Sequence, residues 1–162
     1  MQAIVTCDNN WGISFKGRDI VSIPGEAKSR MQQIAGQTVI YDVDYVKNLP
    51  GAKPITGCNN IIYTAGKDIN IKDADCVKSI AQVKLKALSV KDSEVYIIHG
   101  AELYNEFLNL IDTFHVTKVD YVYETDEHIE NLDLNKDFEI TADSDEQYCF
   151  DIVYNYLKYE RK

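Results

Sequence analysis

Long apolar runs are missing from this sequence. No uninterrupted stretch approaches the roughly 18 residues a membrane span requires, and Met1-Gln2-Ala3 leads into a strand-like segment rather than a basic, then greasy, leader. A chain without a membrane partner is the expectation. Paired cysteines are missing as well: Cys7, Cys58, Cys76 and Cys149 are scattered and form no CxxC spacing. That distribution suits reduced thiols and a cytoplasmic setting better than a disulfide scaffold, and no metal site is expected from it. There is no basic stripe. The net charge of −9 resides in residues 124–146, where ten acids meet one lysine, while the remaining acids and bases cancel. Such a solvated acidic stretch repels polyanions at long range, so nucleic acid is not an expected partner. Internal repeats and low-complexity segments are absent too.

What is present reads as one domain over residues 1–162, large enough to bury a proper core. Residues 3–7, 38–41, 60–64, 95–98 and 113–119 carry the short apolar or alternating patterns of strands. Asp8-Asn9-Asn10 forms a turn, and a long polar loop is expected from Trp11 to Ser22. Pro24 suits the first position of a helix, Glu26 its first turn, and Ala27, Met31 and Ile34 fall on one face before Gly36 closes it. Residues 79–89 form a second helix, opened by a Ser79-to-Gln82 capping box, with Ile80, Val83 and Leu88 behind it. Residues 138–141 and 148–159, rich in β-branched and aromatic side chains, look like a closing hairpin. Strands alternating with helices predict an α/β domain with a mainly parallel sheet, helices on both faces and antiparallel strands at one edge.

The stretch IIHGAELY, residues 97–104, is the centre of this pattern. A buried strand stops at His99-Gly100 and turns at once into a helix carrying Leu103, Tyr104, Phe107 and Leu108 at helical spacing. Strand, glycine and helix together make a geometry in which backbone N–H groups can hold an anion without a basic side chain.

The order of landmarks resembles the dihydrofolate reductase family along essentially the whole chain. The segments that carry the likeness are AIVTCDNNWGI, IPGEAK, GQTVIY, LPGAKPITGCNNIIYT, EVYIIHGAELY, FHVTKVD and Asp126. The resemblance implies a dihydrofolate reductase-like fold and NADPH-dependent reduction of 7,8-dihydrofolate by hydride transfer. It implies Glu26 as the catalytic carboxylate, with Thr117 as its hydrogen-bond neighbour. Substrate contacts fall on Val5, Thr6, Arg30, Leu49, Cys58, Ile98 and Tyr104. Cofactor contacts fall on Thr6, on Ile13 and Ser14 of a mobile loop, on Val43, Asp44 and Tyr45, on Ala65, and on His99, Gly100, Ala101 and Glu102. Partners are then small molecules, and a monomer is the expected state.

Departures from the family pattern fall on both ligands. Its Gly-Arg-x-Thr after the second strand is Asp42-Val43-Asp44-Tyr45 here, which sets two acids where phosphate would dock. Its basic residue after the third strand is Ala65, and its folate-pairing arginine is Cys58. A bulky residue near the helix start is Val21, and an aromatic on the folate ring is Arg30, four residues after Glu26 and placed to pair with it. Its Gly-Gly, joined by a cis peptide, is His99-Gly100. The expectation is a family protein whose reductase turnover is weak or lost. The alternatives are a non-catalytic small-molecule binder, or a reductase of a different substrate in which Arg30 has taken over carboxylate recognition.

Overall fold

The computed structural model describes all 162 residues. In chain order the strands are β1 (Gln2–Cys7), β2 (Gly12–Phe15), β3 (Arg18–Asp19), β4 (Thr38–Asp42), β5 (Asn59–Tyr63) and β6 (Asp75–Val77), then β7 (Val95–Ile97), β8 (Thr113–Val119), β9 (Glu127–His128), β10 (Phe138–Asp143), β11 (Gln147–Cys149) and β12 (Ile152–Arg161). The helices are α1 (Pro24–Ile34), α2 (Val43–Val46), α3 (Ile80–Ser89) and α4 (Ala101–Glu106). The main sheet runs β10-β12-β8-β1-β7-β4-β5-β6, with β11 also paired to β12. From β8 to β6 every pairing is parallel, and β10, β11 and β12 add antiparallel strands at one edge. The expected architecture is therefore the observed one.

Pleat alternation divides the core between the two faces of this sheet. Val5, Ile40, Ile61 and Ile97 pack with Val83 and Ala87 of α3 and Leu103 of α4. Their neighbours Ile4, Val39, Tyr41, Ile62 and Tyr96 pack with Ile34 of α1 and Tyr45 of α2. Parallel strands buried on both faces read as continuous apolar runs, which is why 38–41 and 60–64 were legible as strands. Ser79 caps α3, its hydroxyl accepting from the Gln82 N–H at 3.2 Å. Behind it Ile80 and Val83 pack on the core as expected, whereas Leu88 is exposed and Ala87 takes the buried position one residue before it.

Two expectations need larger corrections. Residues 11–22 are not a loop: β2 and β3 form a hairpin, turned by Lys16 (φ 50) and Gly17 (φ 77), which joins β9 in a small second sheet. Two successive positive φ values fit a two-residue hairpin turn of the twist that strands favour. On α1 the inward face is not Ala27 and Met31, both exposed. It is Glu26, Arg30, Gln33 and Ile34, so this helix turns an acid and an arginine toward the sheet. Apolar periodicity finds the wrong face because the right one is polar.

Asp8 fixes the start of the hairpin. It is fully buried, and its carboxylate accepts the N–H groups of Asn10, Gly12 and Tyr123, each at 2.9 Å. Trp11 is thereby held at φ 62, its ring edge-on to Tyr159 at 5.8 Å and under the Lys118 ammonium. Asp8→Ala would orphan three donors at once, each of which costs free energy when buried and unpaired. We expect urea denaturation to show a loss of about 2 to 4 kcal/mol; a loss below about 0.5 kcal/mol, the scale of a surface substitution, would show that the turn holds without this carboxylate.

Candidate functional site

The carboxyl ends of β1, β4 and β7 open into a cavity of about 660 Å³, roofed by the β2–β3 hairpin and walled by α1. Ligand clefts of α/β sheets lie at such strand ends. Of the residues expected from the sequence, Val5, Thr6, Ile13, Ser14, Glu26 and Arg30 line it, as do Tyr45, Ile98, His99, Gly100, Ala101 and Tyr104. Tyr104 is anchored by donating its hydroxyl to the Ile4 carbonyl at 2.6 Å.

The remaining expected residues lie elsewhere. Thr117 faces a second cavity of about 280 Å³ between α1 and strands β8 and β12; Glu26 and Arg30 wall both chambers. Thr117 stands in register beside Thr6 but makes no hydrogen bond to Glu26, whose partner is Arg30 instead. Leu49 and Cys58 belong to the core under α1 and α2, and the Cys58 thiol donates to the Ile34 carbonyl. Val43 packs against the same core. Asp44 is exposed and pairs with Lys47 at 3.4 Å. Ala65 is exposed beyond β5, and Glu102 accepts the Tyr63 hydroxyl at 3.1 Å. The His99–Gly100 peptide is trans, and Gly100 takes φ 112 and ψ 113.

Two charge arrangements define the cleft. On α1, the Arg30 guanidinium donates through Nη2 to Glu26 Oε1 at 2.5 Å, with both side chains almost wholly buried. Burial alone would lower the pKa of Arg30, but the Glu26 charge beside it wins and holds the guanidinium well above its ordinary range. At the mouth, His99 lies between two carboxylates. Its Nδ1 is 2.8 Å from Asp42 Oδ1, its Nε2 is 3.0 Å from Asp19 Oδ1, and its ring stacks on Tyr45 with centroids 4.6 Å apart. Burial pulls the imidazole pKa down, yet hydrogen bonds and charge from Asp19 and Asp42 together raise it to about 9. At neutral pH the ring is an imidazolium that donates both protons, tying the hairpin to the end of β4.

Asp42 has a second task. Its Oδ1 accepts the Tyr45 N–H at 3.2 Å and so caps α2, and its Oδ2 would stand 3.3 Å from any Cβ placed on Gly100. The space around Gly100 is thus shared with a carboxylate of the protein itself. Asp19 was invisible to sequence reasoning because its segment read as loop. The Lys16-Gly17 pair between Ile13-Ser14-Phe15 and Ile20-Val21 was the available hairpin signal. Arg18, Ser22, Asn48 and Glu127 also line the cleft without having been expected there.

The His99 bridge has a defined pH dependence. The folded pKa, about 9, exceeds the ordinary 6.5, so the bridge contributes its full stability below pH 6.5 and loses it as pH rises through 9. In denaturation series, the stability gap between the wild type and His99→Gln should be largest near pH 6 and close by pH 10. A gap constant across that range would show that the ring carries no charge in the folded protein.

A family model described as dihydrofolate reductase matches residues 1–161. Over 113 residues the chain is 27% identical to a dihydrofolate reductase of Bacillus subtilis (strain 168), covering 68% of this chain and 65% of that protein. Over 67 residues it is 36% identical to a dihydrofolate reductase of Staphylococcus haemolyticus, covering 41% of this chain and 39% of the relative. These matched stretches span less than two thirds of either relative. Among solved structures, a dihydrofolate reductase from Enterococcus faecalis, complexed with NADP(H) and RAB-propyl, shares the fold at a TM-score of 0.82 and 18% identity, over 99% of this chain and 95% of the other. With the family model matched over all but the last residue, the chain belongs to the dihydrofolate reductase family.

Proposed function

We propose that this protein is a small-molecule-binding member of its family whose nominal activity is the NADPH-dependent reduction of 7,8-dihydrofolate to tetrahydrofolate by hydride transfer, and whose turnover is weak or lost. Family membership and an open cleft with a buried carboxylate, Glu26, support the nominal activity. The observation that carries the loss is the His99 bridge. His99 is clamped between Asp19 and Asp42, and the Asp42 carboxylate held in that bridge occupies the space beside Gly100, where the strand-to-helix turn would otherwise approach the cofactor.

The residues at that end do not fit a dinucleotide. Phosphate needs N–H donors and positive charge, but the N-terminus of α2 is already capped by Asp42, Asp44 follows it, and Ala65 offers no charge. His99, the cation beside Gly100, is neutralised by two carboxylates. Each charge-assisted hydrogen bond forgone costs about 1.5 to 3 kcal/mol, and every 1.4 kcal/mol, roughly, is a factor of ten in affinity. Two or three such losses weaken cofactor binding by several orders of magnitude. The same observation favours, as second reading, a non-catalytic protein holding another small molecule in this cleft as a monomer.

Calorimetry separates these readings. Wild-type protein titrated with NADPH should bind weakly, or give no heat at millimolar cofactor, whereas His99→Gly combined with Asp42→Gly and Asp44→Lys should bind at least tenfold tighter. Micromolar binding by the wild type would overturn the proposal of lost turnover, and a spectrophotometric assay with dihydrofolate would then measure the activity.

A further inference from the structure

The large cavity holds polar atoms that the protein itself leaves unused. Glu26 gives only Oε1 to Arg30, and no protein donor reaches its other oxygen. Arg30 spends two of its N–H groups, one on Glu26 and one on the Tyr45 hydroxyl at a long 3.4 Å. A guanidinium has five such donors. Its Nε is buried without any acceptor, and so is the hydroxyl of Thr6 on the facing strand. Those two atoms are covered by the protein, so what the pair itself can offer a ligand in the cavity is the second Glu26 oxygen and the unspent N–H groups at the tip of the guanidinium.

The chemistry of that ligand follows from the pair. A lone carboxylate presents two acceptors and a full negative charge, which suits an amidinium edge: two parallel N–H donors carrying positive charge. Here one acceptor is taken and the charge is balanced. What faces the cleft is one acceptor, from Glu26, next to donors from Arg30. Its complement is a neutral edge with one N–H and one C=O side by side, a cyclic lactam. A protonated amidine would find one acceptor too few and a guanidinium in its way.

We propose that Arg30 is the specificity-determining residue of this cleft, and that by engaging Glu26 it makes the site select neutral lactam heterocycles over protonated diaminopyrimidines. The inference rests on the reading of the large cavity as the heterocycle-binding cleft. It adds to that reading a selectivity that Glu26 alone would not have.

The test is a pair of calorimetric titrations below the pKa of the diaminopyrimidine ring, with 7,8-dihydropterin as the lactam and 5-benzyl-2,4-diaminopyrimidine as the amidine. They are made on the wild type, on Arg30→Phe and on the more conservative Arg30→Gln. The wild type should prefer the lactam by at least roughly tenfold, the scale of one charge-assisted hydrogen bond. Either variant should reverse the order, and the ultraviolet spectrum of its bound diaminopyrimidine should be that of the protonated ring. A wild type that prefers the diaminopyrimidine, or variants that leave the affinity ratio within twofold, would overturn the role of Arg30 while leaving the cleft's assignment standing. Absence of binding by both compounds to all three proteins would overturn the two together.

Discussion

A charge taken out of water must find its partner inside the protein, and that requirement shapes every distinctive part of this molecule. Asp8 is satisfied by three backbone N–H groups and fixes a turn. Glu26 is satisfied by a guanidinium one helical turn away. Asp19 and Asp42, which would repel one another across the cleft mouth, are reconciled by the imidazolium between them. Only the second solution is local; the other two bring together segments far apart in the chain. The sheet supplies the frame on which these groups stand.

The two pairs at the cleft act in different ways. Glu26 and Arg30 lie four apart on one helix, so their pairing needs no tertiary adjustment and survives any movement of the hairpin. The His99 bridge joins three separate segments: β3, the end of β4 and the turn before α4. One arrangement lies within a single helix on the wall of the cleft, and the other ties the cleft's mouth together across the fold.

Much of this was legible from the letters. The parallel strands stood out as apolar runs, and the ordered landmarks named the family because a whole series of them is rarely met by chance. The Glu26–Arg30 pair followed from their spacing, and the oddity of Asp42 and His99 was plain from the pattern they interrupt. What escaped was whatever depends on distant residues meeting. The α1 face was misplaced because periodicity looks for apolar side chains, and here the buried ones are charged. Asp19 was missed because two-residue strands carry too few letters to show alternation. No spacing rule joins positions 19, 42 and 99; only the fold does.

The borders of the main sheet bear on strand-to-strand self-association. β6, at one side, is three residues long. At the other, β10 is bent by a bulge between Ile140 and Ala142, and β11 shares β12 with it rather than extending the sheet. Neither margin offers the long flat ladder of free N–H and C=O groups that templates strand-to-strand self-association. The aromatic-rich carboxyl-terminal half thus meets solvent along a short, bent border that also carries a surplus of negative charge.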